Sequence, residues 1–430
     1  MNNVLPITAK ANKKNHLEIG GVDTVNLAKK FGTPLYVLDE KTIKSACRSY
    51  FNAFKKYPNF FPIFASKSLC AKSVLKIISD EGFGVDVSTA GELYTAIKAK
   101  VPKKNIYFHG NNKLEEEIIF ALKENIGCFI ADNFDEILSL EKLSKKMNKK
   151  PSVMIRINPG IEAHTHDFIK TGIIDSKFGF QKSEIENVVR FIKNSDNLNF
   201  AGLHSHIGSQ IFDIDPFVAE VEVLFDTIIE IKSKFNLECR ELNIGGGIGV
   251  AYSHFDTSPN INEFAQKVSD KIVELSTKHN LSLPKLIIEP GRSIVARAGI
   301  TLYTVGTVKR IPNIRNYVIV DGGMTDNPRY ILYQAKYEAF SANKINEKPQ
   351  EIVTIAGRAC ESGDVVIKDI KMPILEKGDI IAVASTGAYN YSMASNYNRM
   401  QRPAMVLVNN KKARLIIKRE TKEDLLRNDL

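Results

Sequence analysis

The chain has 430 residues, more than one compact core usually holds, so its length predicts two domains. Hydrophobic residues make up 43% and charged residues 25%, a balance that is typical of globular proteins and excludes a disordered chain or a coiled coil. The formal net charge is +10, but Lys and Arg are spread along the whole chain, which favours a solvated surface over a nucleic-acid interface.

The cysteines and the N-terminus indicate the compartment. There are five cysteines, an odd number, and no C-x-x-C pair, so neither a disulfide framework nor a zinc site is predicted. The first residues lack the apolar run of a signal peptide, and no stretch is long and apolar enough to span a bilayer. We therefore expect a cytoplasmic protein with no membrane partner.

The middle of the chain alternates short apolar runs with longer amphipathic stretches. The runs are FPIFAS from Phe61, GVDVST from Gly84, IYFHG from Ile106, CFIAD from Cys128, VMIRIN from Val153, AGLHSHIG from Ala201, ELNIGGG from Glu241 and LIIEPG from Leu286. Such alternation predicts parallel strands joined by right-handed crossovers, and eight units predict a closed (β/α)8 TIM-like barrel. A doubly wound open sheet is the alternative.

The C-terminal ends of the eight runs are polar or glycine-rich. These ends carry Lys67, Asp86, Asn111, Asp132, Asn158, His206, Gly245–Gly247 and Glu289. Because active sites of such barrels lie at the C-terminal face, we expect these residues to face one site.

From about residue 299 the sequence changes to short runs rich in β-branched residues, separated by turn signals. This pattern predicts an all-β domain of sandwich or barrel type, to which the segment before Leu38 adds strands. The predicted domains are therefore a barrel over residues 38–298 and a β domain formed by residues 1–37 and 299–430.

Lys67 and a glycine run are the first candidates for chemistry. A lysine at a barrel mouth can form a Schiff base, although a surface lysine is the simpler interpretation. Gly245–Gly249 follows the seventh strand, where barrels commonly bind phosphate through backbone N–H groups. A tight turn is the alternative, and the run does not fit the dinucleotide fingerprint.

Two motifs flank this glycine run in the predicted barrel. The first is Glu289-Pro290-Gly291-Arg292, whose carboxylate would find a partner in a protonated pyridine nitrogen. Gly291 offers backbone donors, and the Arg292 guanidinium can bind a carboxylate through two hydrogen bonds. A structural Glu–Arg pair is the alternative. In His204–Gln210, a flat imidazole and Ser209 suit a ring with a phosphate. No third ligand shows a matching spacing, although His164 and His166 are available, so a metal site is not predicted.

Cys360 lies beside Glu361 in the predicted β domain. A thiol next to a carboxylate can be a proton donor, and an inert buried cysteine is the alternative.

Taken together, these motifs resemble the alanine-racemase-like-fold pyridoxal-phosphate (PLP) decarboxylases. The resemblance runs from about Thr33 to Pro403. It is carried by Lys67, HIGSQ at His206–Gln210, GGGIG, EPGR, AHTHDFIKTG at Ala163–Gly172, SKFGF at Ser176–Phe180, DGGMTDNPRYILY at Asp321–Tyr333, GRACESGD at Gly357–Asp364 and GAYNYSMASNYN at Gly387–Asn398. Among these enzymes, the pair Cys360-Glu361 is typical of the branch that converts meso-2,6-diaminopimelate to L-lysine and CO2.

The resemblance implies a role for each motif residue. Lys67 would bind PLP covalently, His206 would stack on its ring and Glu289 would pair with the pyridine nitrogen. Further cofactor contacts are implied for Asp86, Ser209, Gly247, Gly291, Arg292 and Tyr389. Substrate contacts are implied for Arg292, Arg329, Tyr333, Glu361 and Tyr389. Cys360 would return a proton to Cα, and Cys360 and Glu361 would come from the partner subunit of a homodimer with shared active sites.

The sequence departs from the resemblance in two places. Phe64-Ala65-Ser66-Lys67-Ser68 replaces the more frequent Tyr-Ala-x-Lys-Ala, and Tyr330 stands where proline often follows the arginine. Neither change removes a functional group. The competing interpretations are a decarboxylase of ornithine- or arginine-type substrates, a racemase, and a non-catalytic PLP-binding protein.

Overall fold

The computed structural model describes residues 3–161 and 176–430. The chain forms two compact units. The first, here called the β unit, comprises Met1–Ala46, Val250–Thr257 and Arg292–Leu430, and the second, the barrel unit, comprises Cys47–Gly249 and Ser258–Gly291. Each unit is therefore assembled from segments that are distant in the sequence.

The N-terminal segment begins with small elements. They are β1 (Lys10–Ala11), β2 (Leu17–Ile19), β3 (Val22–Asp23), α1 (Thr24–Phe31), β4 (Leu35–Asp39) and α2 (Glu40–Ala53). Strands β1 to β3 form a three-stranded antiparallel sheet. Helix α1 begins where the Asp23 carboxylate accepts hydrogen bonds from the N–H groups of Val25 and Asn26. Two lysines in its last turn complement the helix dipole.

The barrel unit alternates strands and helices. Its elements are β5 (Phe60–Ala65), α3 (Lys72–Asp80), β6 (Gly84–Val87), α4 (Ala90–Lys98), β7 (Ile106–Phe108), α5 (Glu115–Glu124), β8 (Cys128–Ala131), α6 (Phe134–Met147), β9 (Ser152–Arg156), α7 (Ile185–Asn194), β10 (Asn199–His204), α8 (Asp215–Phe235), β11 (Glu241–Asn243), α9 (Ile261–Lys278) and β12 (Lys285–Ile288). The strands pair in parallel, and β12 pairs with β5 to close an eight-stranded barrel. The predicted (β/α)8 barrel is confirmed.

Close packing between barrel strands depends on small residues. A Cβ added at Gly202 of β10 would lie 1.8 Å from the carbonyl oxygen of Glu241 in β11. Inside the unit, apolar side chains from several strands form one buried cluster, namely Ile63, Tyr107, Cys128, Ile130, Met154, Ala201 and Ile287. This packed interior holds the C-terminal strand ends in fixed positions.

The β unit continues after Gly291. Its later elements are α10 (Arg292–Val295), β13 (Gly299–Ile311), β14 (Arg315–Val320), α11 (Arg329–Tyr333), β15 (Ala339–Ser341), β16 (Glu351–Ala356), β17 (Val365–Met372), β18 (Ile380–Val383), β19 (Ala404–Asn409), β20 (Lys412–Ile417) and α12 (Lys422–Leu426). The main sheet has the order β17-β16-β14-β13-β4-β19-β20, and β18 pairs with both β13 and β15. The predicted all-β region is confirmed, and β4 adds an N-terminal strand to its sheet.

The β unit has its own apolar core, to which Leu35, Val37, Ile300, Leu302 and Val406 contribute fully buried side chains. Within the described part of the chain, no helix is both long enough and apolar enough to cross a membrane.

Candidate active site

Lys67 lies at the mouth of the barrel, in a short 3-10 turn, Ser66–Ser68, that directly follows β5. Its side chain is exposed, whereas both neighbouring serines are buried. A Cβ added at Gly291, after β12, would lie 2.8 Å from the Cβ of Ala65. Only glycine permits this approach, which brings the ends of the first and last barrel strands together.

Glu289, at the end of β12, is buried close to three side-chain nitrogen atoms. The side-chain amide of Asn243 donates to its Oε1 at 2.7 Å. The Nε2 atoms of His109 and His204 lie 2.9 Å from Oε1 and 3.4 Å from Oε2. Burial alone would raise the pKa of Glu289, but His109 and His204 outweigh it and hold that pKa well below its ordinary value. These neighbours therefore favour the ionised form of Glu289 inside the barrel mouth.

His109, His204 and Glu289 also form a possible ligand set for a metal ion, since one ligand atom of each lies within 4.8 Å of the others. The metal interpretation of the sequence paired His204 with His206, whereas the structure groups His204 with His109 and Glu289. His164 and His166 lie outside the described residues, as do the motif residues 163–172. The Glu289 carboxylate already has a hydrogen bond from Asn243 and the close imidazoles of His109 and His204, which account for the cluster.

Asp86 and Arg156 bring further charges to the same strand ends. Burial raises the pKa of Asp86, and the electrostatic interactions with His109, Lys67 and Arg156 offset part of this effect. One carboxylate oxygen of Asp86, Oδ1, has no hydrogen-bond partner among the described residues. The Arg156 guanidinium lies over the ring of Phe178 at 4.4 Å, which gives the SKFGF motif a structural role.

Two loops at the barrel mouth run side by side and contain the predicted phosphate-binding residues. The N–H of Ile211 donates to the carbonyl of Gly247 at 2.9 Å, so the segment with His206 and Ser209 lies against the glycine run. Gly247 has a φ of +118°, and a Cβ there would lie 2.3 Å from the carbonyl oxygen of Gly208. No residue with a side chain fits here without a shift of the neighbouring backbone.

The imidazole of His206 is neutral. Desolvation lowers its pKa well below the ordinary value, and the positive charges of Lys67 and Arg156 act in the same direction. Its Nδ1 accepts a hydrogen bond from the N–H of Gly246 at 3.3 Å, which fixes the ring relative to the glycine loop. A neutral, flat ring held in this way can stack on an aromatic cofactor.

The β unit contains a buried cluster of arginine and tyrosine side chains. Arg292 and Arg329 both donate to the hydroxyl oxygen of Tyr252, at 2.7 and 2.6 Å. The Arg292 guanidinium lies 4.6 Å from the ring centre of Tyr389, and that of Arg329 lies 5.8 Å from the ring of Tyr333. Four of the predicted ligand residues are thus close together in this unit.

Cys360 and Glu361 lie in the loop between β16 and β17, and both are exposed. The interpretation of Cys360 as an inert buried cysteine is therefore wrong. The Asp364 carboxylate shapes this loop, because it accepts hydrogen bonds from the N–H groups of Ala359 and Met324, both at 2.7 Å. The Cys360 N–H also donates to Asn398 at 2.8 Å. Three motifs of the β unit are thereby tied together.

Four residues of these clusters were not among the predicted site residues: His109, Arg156, Asn243 and Tyr252. His109 directly follows the apolar residues of the run IYFHG, and Asn243 interrupts an apolar run, so a polar residue at a strand end was the available signal. Tyr252 follows the glycine run by three positions and carries no comparable signal.

Comparison with known proteins gives consistent matches. Residues 40–296 match the family described as pyridoxal-dependent decarboxylase, pyridoxal binding domain. The chain is 46% identical to a diaminopimelate decarboxylase of Bacillus subtilis over 98% of this chain and 97% of that protein. A diaminopimelate decarboxylase of Synechocystis is 46% identical over 99% of this chain and 93% of that protein.

A solved structure extends the likeness to three dimensions. The crystal structure of diaminopimelate decarboxylase from M. jannaschii in complex with L-lysine has a TM-score of 0.93 and 36% identity, and the match covers 100% of this chain and 99% of that one. The chain therefore belongs to the diaminopimelate decarboxylase family of pyridoxal-dependent decarboxylases.

Proposed function

We propose that the chain catalyses the decarboxylation of meso-2,6-diaminopimelate to L-lysine and CO2 with PLP as cofactor. The observation that carries the reaction class is the buried Glu289 carboxylate, which two histidines and Asn243 keep ionised close to the barrel mouth. The choice of substrate is supported by relatives that are 46% identical over nearly the whole chain and are named diaminopimelate decarboxylases.

The barrel unit fits PLP. Buried polar atoms without partners among the described residues, such as Asp86 Oδ1 and His204 Nδ1, mark a polar enclosure beside the glycine loop. When bound, PLP supplies an electron sink for the carbanion that forms as CO2 departs. Glu289 would keep the pyridine nitrogen protonated, His206 would stack on the ring, and the Lys67 amine would hold the aldehyde carbon.

The remaining cofactor and substrate contacts follow the predicted assignment. Phosphate would be held by Ser209, Gly247, Gly291 and Tyr389, with Asp86 and Arg292 as further cofactor contacts. The distal amino-carboxylate of the substrate would be bound by Arg292, Arg329, Tyr333, Glu361 and Tyr389. The two arginines supply the carboxylate clamp, and Glu361 accepts from the amine.

Cys360 is the proposed proton donor to Cα. Its thiol and the neighbouring Glu361 carboxylate are exposed in a single chain. Proton donation by Cys360 and amine binding by Glu361 both need a site that excludes water. We therefore propose a homodimer in which each subunit contributes this pair to its partner's active site.

A cytoplasmic location is proposed as well. All five cysteines are free, which suits a reducing compartment.

A direct assay tests this function. Purified protein with PLP and meso-diaminopimelate should release lysine and CO2, and borohydride reduction followed by peptide mapping should find the pyridoxyl group on Lys67. Lys67→Ala should abolish turnover and labelling, whereas Lys72→Ala, at an exposed lysine five positions on, should change neither. Equal turnover of ornithine would favour the related decarboxylases, and PLP binding without CO2 release would favour a non-catalytic carrier.

A further inference from the structure

Two buried arginines of the β unit share one acceptor. Nη1 of Arg292 and Nη1 of Arg329 donate to the same phenol oxygen, that of Tyr252, at 2.7 and 2.6 Å. All three side chains are at most 6% exposed. The oxygen of Tyr252 therefore holds two positive groups side by side in a site that is nearly closed to water.

The hydrogen bonds of the Tyr252 hydroxyl and of Arg329 are unusual. Both acceptor positions of the Tyr252 oxygen are occupied by arginines, and within residues 3–161 and 176–430 nothing accepts a hydrogen bond from its own hydroxyl proton. In the same part of the chain, Arg329 has no carboxylate within 4 Å, and its Nε lacks a partner. Its other hydroxyl contact is Tyr337, at 3.2 Å. Tyr252 thus takes the place of an anion for Arg329.

The electrostatics agree with this arrangement. Burial would raise the pKa of the Tyr252 phenol, but the two guanidinium groups outweigh it and lower that pKa below its ordinary value. Both arginines also lie near the face of the Tyr252 ring, at 5.8 and 5.0 Å from its centre. An electron-rich tyrosine between two cations offsets their mutual repulsion.

We propose that Tyr252 is the positioning residue of the carboxylate clamp, and that it sets the preference for substrates with a carboxylate at their far end. Holding Arg292 and Arg329 together before the substrate arrives removes the cost of assembling two like charges during binding. Without the phenol oxygen, Arg329 keeps only the weaker hydrogen bond to Tyr337 among the described residues and moves away from Arg292. The inference rests on the proposed function, since it assigns the two arginines to the distal carboxylate.

The test uses two ligands that differ in one group. L-lysine carries the distal carboxylate, and 1,5-diaminopentane has the same chain without it. In calorimetric titrations of the PLP-loaded enzyme, Tyr252→Phe should weaken L-lysine binding by about tenfold or more, the loss expected for a charge-assisted hydrogen bond, while 1,5-diaminopentane binding changes less than about twofold. The KM for diaminopimelate should rise by a similar factor, and kcat should change little.

Tyr337→Phe is the matched control. It removes a hydroxyl from the same arginine at 3.2 Å but leaves the shared oxygen in place, so its effect on L-lysine should be no more than about threefold. Partial unfolding of a variant lowers the titrated stoichiometry and not the ratio of the two dissociation constants, so the ratio stays interpretable.

Each result has one meaning. An unchanged ratio in Tyr252→Phe, or an equal loss for both ligands, overturns the positioning role. If the wild-type enzyme does not decarboxylate diaminopimelate and does not prefer L-lysine over 1,5-diaminopentane, the proposed function itself fails. If wild type does both and Tyr252→Phe behaves identically, only the present inference fails.

Discussion

Glu289 illustrates at the residue scale how neighbours reverse the effect of burial. An isolated carboxyl in this position would become neutral, because desolvation favours the protonated form. Two imidazoles and the Asn243 amide instead stabilise the anion, so the pKa is depressed rather than raised. Only an anion here can keep a pyridine nitrogen protonated, and the electron sink depends on that proton.

Replacing Glu289 with glutamine tests this role. Glu289→Gln should still bind PLP, because Lys67 and the glycine loop are unchanged, but kcat should fall on the order of a hundredfold as the ring loses its protonating partner. Absorbance titration with PLP and initial-rate kinetics measure the two effects. Glu241→Gln, a partly exposed carboxylate of β11, should keep its rate. Near-normal turnover in Glu289→Gln would refute the assignment.

A site residue can be predicted from the sequence when its local position indicates its role, and not when its role depends on partners remote in the sequence. Lys67 and Glu289 stand at the ends of apolar runs, so local sequence alone places them at the barrel mouth. His109 and Tyr252 act through partners remote in the sequence, namely Glu289 for His109 and Arg329 for Tyr252. No local pattern encodes such partners, and these residues are visible only in the fold.

At the scale of elements, the barrel strands were predicted correctly because two signals coincide in each of them. A fully buried parallel strand needs a continuous apolar run, and the barrel mouth needs polar or glycine residues at its end. In the β unit, by contrast, no sequence signal indicates which strands pair with each other. Strand β4 (Leu35–Asp39) lies between β13 and β19, and nothing local indicates partners more than 250 positions away.

Gly202 tests the packing of neighbouring strands. In Gly202→Ala the added methyl would lie 1.8 Å from the backbone of Glu241, so β10 and β11 have to separate, and stability should fall by about 3 kcal/mol. Urea denaturation followed by circular dichroism measures the change. Gly306→Ala, where the nearest atom is 3.6 Å away, should lie within about 1 kcal/mol of wild type. Equal midpoints for both variants would contradict the packing argument.

At the scale of the whole molecule, the chain divides its chemistry between two units. The barrel unit contains Lys67, His206 and Glu289, and the β unit contains Arg329 and Cys360. The predicted domain boundaries at residues 38 and 298 stay a prediction, and each of the two units is assembled from segments that alternate along the chain. The assignment of Cys360 to the partner subunit's site comes from the family resemblance and stays a prediction.

Mixed dimers test whether Cys360 acts in the active site of its partner subunit. If Lys67 of one subunit works with Cys360 of its partner, Lys67→Ala and Cys360→Ala are each nearly inactive alone. After equal mixing and subunit exchange, half of the dimers are hybrids, and each hybrid has one site with both defects and one with neither. Activity should return to about a quarter of wild type, given random pairing and independent sites. If both groups acted within one subunit, every site would keep a defect, and mixing would restore nothing even though exchange is demonstrated by mass-labelled subunits.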